Sequence, residues 1–177
     1  TNCMFWTTLD SLPILPDAVS VAPQIKHYYV WASFAEKALH ALGHDHVKTL
    51  HGSIDESTFY RLSDENRQKL RHSKGIPQNC FIVGFVFRNQ LRKSVPNILD
   101  GFKAFMRQEP RANTRLLLHT HWGEGWDIPR LLKEKEIDPN LILTTYCCNK
   151  CGAYEIRPFT GQGQQCRVCQ HKDSLNT

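Results

Sequence analysis

Two thiol pairs, Cys148-x-x-Cys151 and Cys166-x-x-Cys169, stand 14 residues apart near the end of the sequence, and no other feature restricts its folding as much. Four thiolates at this spacing suit one tetrahedral Zn²⁺, and an ion held by four protein ligands has no open position for a substrate. Gly152, directly after the first pair, supplies the permissive backbone that a tight metal-binding turn needs. Residues 146–170 therefore read as a zinc ribbon with Cys148, Cys151, Cys166 and Cys169 as ligands, a structural rather than a catalytic centre. The other three of the seven cysteines, Cys3, Cys80 and Cys147, have no obvious partners, which fits a reducing, cytoplasmic compartment better than a secreted disulfide scaffold.

With 177 residues, 41% of them hydrophobic and 22% charged, the chain suffices for an ordinary globular domain plus a small module. No apolar run is long enough to span a bilayer as a helix. The first residues, Thr1-Asn2-Cys3, carry neither an initiator Met nor a leader pattern, so the sequence is expected to be part of a longer chain. Positive charge is concentrated at residues 61–112, with 11 Lys/Arg against 4 Asp/Glu, which suits an anionic partner or a solvated basic helix.

Residues 1–26, with Pro13, Pro16 and Pro23, read as loop-rich. His27–Trp31 reads as a strand, Ser33-x-x-Glu36 as a capping box opening a helix to Leu42 with Gly43 as its C-cap, and Val47–Leu50 as the next strand. A turn is expected at Gly52–Asp55, where Gly52 would adopt angles closed to other residues. Ser63 would cap a polar helix ending near Gly75. The run Cys80–Phe87 is apolar throughout, as in a central strand covered on both faces. After Pro96 a helix presents Ile98, Leu99, Phe102, Phe105 and Met106 on one face. Leu116–His119 is a strand, 127–136 a helix and Leu141–Thr144 another strand. Strand, helix, strand, helix, strand predicts an α/β fold with a Rossmann-like parallel sheet, interrupted by the small zinc ribbon.

Ligands of an open parallel sheet bind beyond the carboxyl ends of its strands, which selects the loop Arg88-Asn89-Gln90-Leu91-Arg92-Lys93. Arg88 at the strand's end and Lys93 before a helix N-terminus would suit a diphosphate. Neither the glycine-rich dinucleotide fingerprint nor the Walker phosphate loop is present, which argues against an ordinary dehydrogenase or ATPase. His119 and His121 share a strand face, where a second metal site or none are both open readings. Trp122 and Trp126 read either as loop packing or as a stacking surface for a sugar or base.

The run Gly84–Lys93, followed by the amphipathic helix and the strand at 115–119, resembles the C-terminal half of GT-B glycosyltransferases of the retaining, glycogen-synthase-like group 1. Tyr29–Ala35 is similar to that family's last N-domain strand and helix, and His51-Gly52-Ser53-Ile54-Asp55 to its Asn-Gly-Val-Asp turn at the domain junction. The resemblance covers residues 27–145. It implies transfer of a sugar from a nucleotide-sugar donor to an unidentified glycosyl acceptor. Arg88 and Lys93 match the cations that contact the donor diphosphate and assist its departure, and Gly52 would line the donor cleft. Residues 1–60 would then be the end of the acceptor-side domain and the junction, and 61–145 the first part of the donor-binding domain. Residues 146–170 would be the inserted ribbon, and 171–177 a tail. The family's acidic pair, which grips ribose and sugar, lies beyond Thr177, so these residues alone are expected to be inactive. The competing reading is a zinc-ribbon adaptor that binds nucleic acid or a protein through Lys150, Arg167 and the basic helix at 61–74. Nucleic acid is the less favoured partner, because only Tyr154 and Phe159 offer aromatic rings near the ribbon.

Overall fold

A computed structural model describes residues 3–110 and 112–177. The chain divides into two compact units, Thr1–Arg61 and Leu62–Thr177. Both are built on parallel strands, so the protein is mixed α/β.

In the first unit, β1 (Met4–Thr7), β2 (His27–Val30) and β3 (Lys48–Thr49) form a parallel sheet in that order, joined through α1 (Pro16–Val21) and α2 (Ser33–Ala41). Tyr28 and Val30 of β2 point into a core with Ile14, Ala22, Ala35, Leu39 and Val47. The region expected to be loop-rich thus contains a strand and a short helix. Pro16 opens that helix at a position where no amide donor is needed.

The Ser33/Glu36 capping box does not form. The N-cap residue is Ala32, without a side-chain hydrogen bond. Glu36 instead reaches across to β3, where its carboxylate accepts hydrogen bonds from the Thr49 amide at 2.8 Å and from the Thr49 hydroxyl. A cross-element acceptor site for two donors wins over a local cap. Gly43 ends α2 with φ +88°, as expected of a C-cap glycine.

Gly52 also departs from expectation. Its φ is not in the left-handed region; it is needed because a Cβ there would overlap the Trp31 indole. Trp31 in turn stacks on Trp6 at 4.9 Å, and Trp6 Nε1 donates to the Leu50 carbonyl at 2.8 Å. The glycine therefore makes room for an aromatic pair rather than for a special backbone angle.

The second unit begins with α3 (Asp64–Ser73), capped by Ser63, whose hydroxyl accepts from the Asn66 amide at 3.3 Å. Then come β4 (Phe81–Val86), α4 (Val95–Gln108), β5 (Thr114–His119), α5 (Ile128–Glu134), β6 (Ile142–Cys148), β7 (Tyr154–Pro158) and β8 (Leu175–Asn176). Strands β4, β5 and β6 are parallel, while β7 and β8 pair antiparallel with β6. Val95, Leu99 and Phe102 of α4, with Ile128 and Leu132 of α5, cover Leu116, Leu118 and Ile142 of the sheet. Apolar residues at helical spacing on α4 and alternating burial along β5 are the expected outcome of that packing.

Two expectations change here. β4 is the edge of its sheet, not a strand covered on both faces: Phe81 is 64% and Val86 76% exposed. β6 runs past the parallel part and becomes the first strand of the cysteine-bearing hairpin, so ribbon and sheet share one continuous strand. Among the described residues no helix is long and apolar enough to cross a membrane.

The two donors from Thr49 hold the Glu36 carboxylate below its ordinary value of 4.5. A carboxylate depressed in the folded state stabilises above the unfolded value, and that contribution disappears as pH falls through the folded value. Urea unfolding of Glu36→Gln should therefore show a deficit against wild type at neutral pH that narrows in acid. A deficit that stays constant with pH would contradict the charge-assisted clamp.

Candidate functional site

Two groups of side chains in the second unit carry chemistry. The first lies beyond the carboxyl ends of β4 and β5. Arg88 lies two residues past β4 and is exposed, its Nε 3.4 Å from a Glu124 carboxylate oxygen, whereas Lys93 is half-buried and makes no ion pair among the described residues. Lys93 closes a 3-10 turn, Leu91–Lys93, and Ser94 then takes left-handed angles (φ 49°) to start α4. No side chain caps α4 and no acidic residue occupies its first turn, so its terminal amides and dipole favour an anion beside Lys93.

Asn89, not singled out in the sequence, fastens this loop. It is 1% exposed, and its Nδ2 donates to the carbonyls of Glu124 and Trp126, the latter at 2.9 Å, while its Oδ1 accepts from the Trp126 amide at 3.1 Å. One amide side chain thus ties the loop after β4 to the loop after β5, and it fixes the backbone that presents Glu124 to Arg88. Gly125 completes the contact: its φ is +64°, and a Cβ would strike the Asn89 backbone carbonyl. A buried Asn between two strand-end loops is visible in the sequence only as a polar residue after an apolar run.

Trp122 and Trp126 are packing residues. Trp122 is 6% exposed, stacks on Phe159 at 4.3 Å and donates from Nε1 to Thr144 Oγ1 at 2.9 Å. Trp126 Nε1 donates to the Leu91 carbonyl at 3.1 Å. His119 and His121 are both exposed, and the His121 ring Nδ1 accepts from the Gly123 amide at 3.2 Å. Gly52 lies in the first unit, beneath Trp31, and Arg88 and Lys93 lie in the second.

The second group is the cysteine cluster. The four Sγ atoms of Cys148, Cys151, Cys166 and Cys169 lie within 4.8 Å of one another, the only such group of three or more potential ligands among the described residues. Cys148 Sγ is 3.6 Å from Cys169 Sγ, and Cys151 Sγ 3.7 Å from Cys166 Sγ. Bonds of about 2.3 Å to one tetrahedral ion place sulfurs about 3.8 Å apart, so the cluster has the dimensions of a metal site. Disulfide bonding requires about 2 Å.

The two pairs use the same turn. The Cys148 carbonyl accepts from the Gly152 amide at 3.0 Å, and the Cys166 carbonyl from the Gln170 amide at 2.9 Å. Both acceptor turns end in left-handed backbone, Gly152 at φ 71° and Gln170 at 62°. Glycine announces the first turn in the sequence; glutamine conceals the second. The Lys150 amide donates to Cys148 Sγ at 3.4 Å, and the buried Ser174 hydroxyl is also 3.4 Å from it. Ser174, the Cys151 backbone and the other donors bring the Cys148 thiol down to about 5. Cys151 receives a backbone hydrogen bond at Ala153 that favours its thiolate, yet desolvation and the adjacent sulfurs of Cys148, Cys169 and Cys166 push it up to about 12. Crowded thiols resist ionising together, and a cation at their centre removes that conflict.

The cluster is joined to the sheet by aromatic packing. Tyr146, Cys148, Cys166 and Leu175 form a buried group, and Phe159 packs against both this group and the α4/α5 core. Residues after 170 belong to this structure: Leu175 is fully buried, and β8 pairs with the end of β6. No protein-family model and no curated protein matches the chain.

Two predictions arise. A chelator that strips the cluster should erase amide-exchange protection at Cys148, Gln164 and Leu175, while protection at Leu116 and Leu118 in β5 persists; uniform persistence would show that the metal does not hold the hairpin. Gly125→Ala should cost about 2–4 kcal/mol in chemical denaturation, against about 1 kcal/mol for Gly75→Ala, which shares a left-handed φ but has open space. Equal costs would remove the Asn89 contact from the account.

Proposed function

We propose that the chain is a portion of a GT-B glycosyltransferase, with a Rossmann-like donor-binding half that begins in the second unit and a cysteine cluster that holds Zn²⁺. The observation carrying this reading is the loop Arg88–Lys93: its cations Arg88 and Lys93 and the uncapped N-terminus of α4, at the carboxyl edge of parallel strands. The family resemblance of the same loop supports it, as do the similarities at Tyr29–Ala35 and His51–Asp55.

In this reading Arg88 and Lys93 bind the diphosphate of a nucleotide-sugar. As the bond from the anomeric carbon to the diphosphate oxygen breaks and the acceptor oxygen bonds to that carbon, negative charge grows on the leaving group. Cations fixed beforehand stabilise the growing charge more than they stabilise the intact donor. Glu124 holds Arg88 in place without donor and must yield it to the phosphates. Asn89 is a positioning residue, since it sets the backbone of both loops. Donor sugar and acceptor are selected by groups outside this loop.

Zn²⁺ is the ion that fits four thiolates at tetrahedral spacing, and its role here is to hold the hairpin. No step of sugar transfer passes through it.

Calorimetric titration with nucleoside diphosphates tests the donor assignment. Arg88→Ala with Lys93→Ala should weaken binding by about a hundredfold or more, since hydrogen bonds to charged groups contribute about 1.5–3 kcal/mol each. Unchanged affinity in that variant would overturn the assignment.

A further inference from the structure

A cavity of about 810 Å³ in the second unit opens at the other end of the sheet, by the amino-terminal ends of β4 and β5. Lys74, Arg115, Arg157 and Arg167 line it, drawn from the end of α3, the start of β5, the middle of β7 and the second cysteine turn. The only carboxylate among its lining residues is Glu155. That carboxylate is already shared by Arg157 Nε at 3.1 Å and Arg167 Nε at 3.7 Å. Four cations facing one carboxylate leave a concentrated positive potential in a concave, partly desolvated space, where it is felt more strongly than on an open surface.

The four cations divide into scaffold and free donors. Arg157 is consumed: it also bonds Thr160 and Gln164 and lies 4.2 Å over the Tyr146 ring. Lys74 spans from α3 to β7, donating to the Tyr154 carbonyl at 3.3 Å while lying 3.4 Å over the Tyr154 ring, which leaves ammonium donors unused. Among the described residues Arg115 bonds only the Thr114 carbonyl at 2.9 Å and Asn113 Oδ1 at 3.4 Å, without a carboxylate. Arg167 is 77% exposed and offers Glu155 one of its nitrogens. Guanidinium groups with free edges match phosphate oxygens in pairs.

The outer surface of α3 tells against a polymer. There Arg67 pairs with Asp64 and Lys69 with Glu65, so carboxylates interrupt the positive charge along that helix. A cavity of this size suits a compact ligand.

We propose that this cavity is a second anion site, which takes a small ligand bearing two or more phosphate groups and which exists only while the metal holds the cysteine hairpin. Two of its walls, β7 and the Cys166–Cys169 turn, belong to the metal-dependent hairpin, so ligand and metal stabilise each other through one structure. The site does not depend on the glycosyltransferase reading, because Arg88 and Lys93 lie at the opposite end of β4.

Calorimetric titration of the metal-loaded chain with inorganic pyrophosphate, metal content being checked before and after, provides the test. A parallel titration uses a short oligothymidylate to separate a free oligophosphate from a nucleic-acid backbone. Pyrophosphate should bind, and its affinity at this site should survive Arg88→Gln with Lys93→Gln. Arg115→Gln with Arg167→Gln should weaken it by about tenfold or more. The exposed single change Arg167→Glu should weaken it as well without touching a packed side chain, and chelation should abolish it. Absence of pyrophosphate binding, equal affinity in the Arg115/Arg167 variant, or binding that persists after metal removal would each overturn the proposal. Binding of the oligonucleotide alone, with the same residue dependence, would also overturn it by making the ligand a polymer.

Discussion

Strand β6 carries two architectures at once, and most of the second unit depends on that double duty. Its first half pairs in parallel with β5 and is covered by the α4/α5 layer; its second half pairs antiparallel with β7 and β8 and ends at Cys148. A strand cannot change its face alternation midway without a bulge, because side chains alternate with a strict period of two. Burial along β6 accordingly alternates without interruption, from Ile142 through Thr144 and Tyr146 to Cys148. The register that seats Ile142 in the hydrophobic core is the one that aims Cys148 at the cysteine cluster. Phe159 reinforces the link by packing on both sides of it. The cysteine hairpin is thus an extension of the sheet rather than an appendage on a tether.

The same constraint distributes chemistry to the two ends of the sheet. At the carboxyl ends of β4 and β5, Asn89 binds the two loops into one surface with Arg88 and Lys93 on its rim. At the amino-terminal ends, the hairpin folds back near α3, and cations from four distant segments meet. Parallel strands send each connection the length of the sheet, which is why residues 74, 115, 157 and 167 can converge while the residues that follow β4 and β5 gather at the other end.

Legibility in the sequence followed how local the deciding physics was. The cysteine pairs, the apolar stripe of α4, the Ser63 cap and the C-cap at Gly43 are set by a few neighbouring residues, and they were readable. The Ser33/Glu36 cap was not, because a partner 13 residues away, Thr49, outcompeted the local amide. The edge position of β4 is a property of strand order, to which a uniformly apolar run is blind. Asn89 and Ser174 look like ordinary polar residues until tertiary structure buries them, and Gln170 occupies a left-handed turn that its side chain does not advertise. In the candidate site, the types of residue that bind anions were apparent, but the Arg88–Glu124 pair and the cavity around Arg115 are products of topology.

The four tryptophans are divided evenly between the units and sit in opposite environments. Trp6 and Trp31 form a stacked pair, each nearly half exposed, while Trp122 is buried against Phe159 and Trp126 is partly packed into the same core. Indole emission shifts to the red with exposure to water. The intrinsic spectrum of the chain is therefore a two-channel signal. Red-edge fluorescence belongs to the first unit and blue-edge fluorescence to the second, so the order in which the two units melt is encoded in the protein's own chromophores.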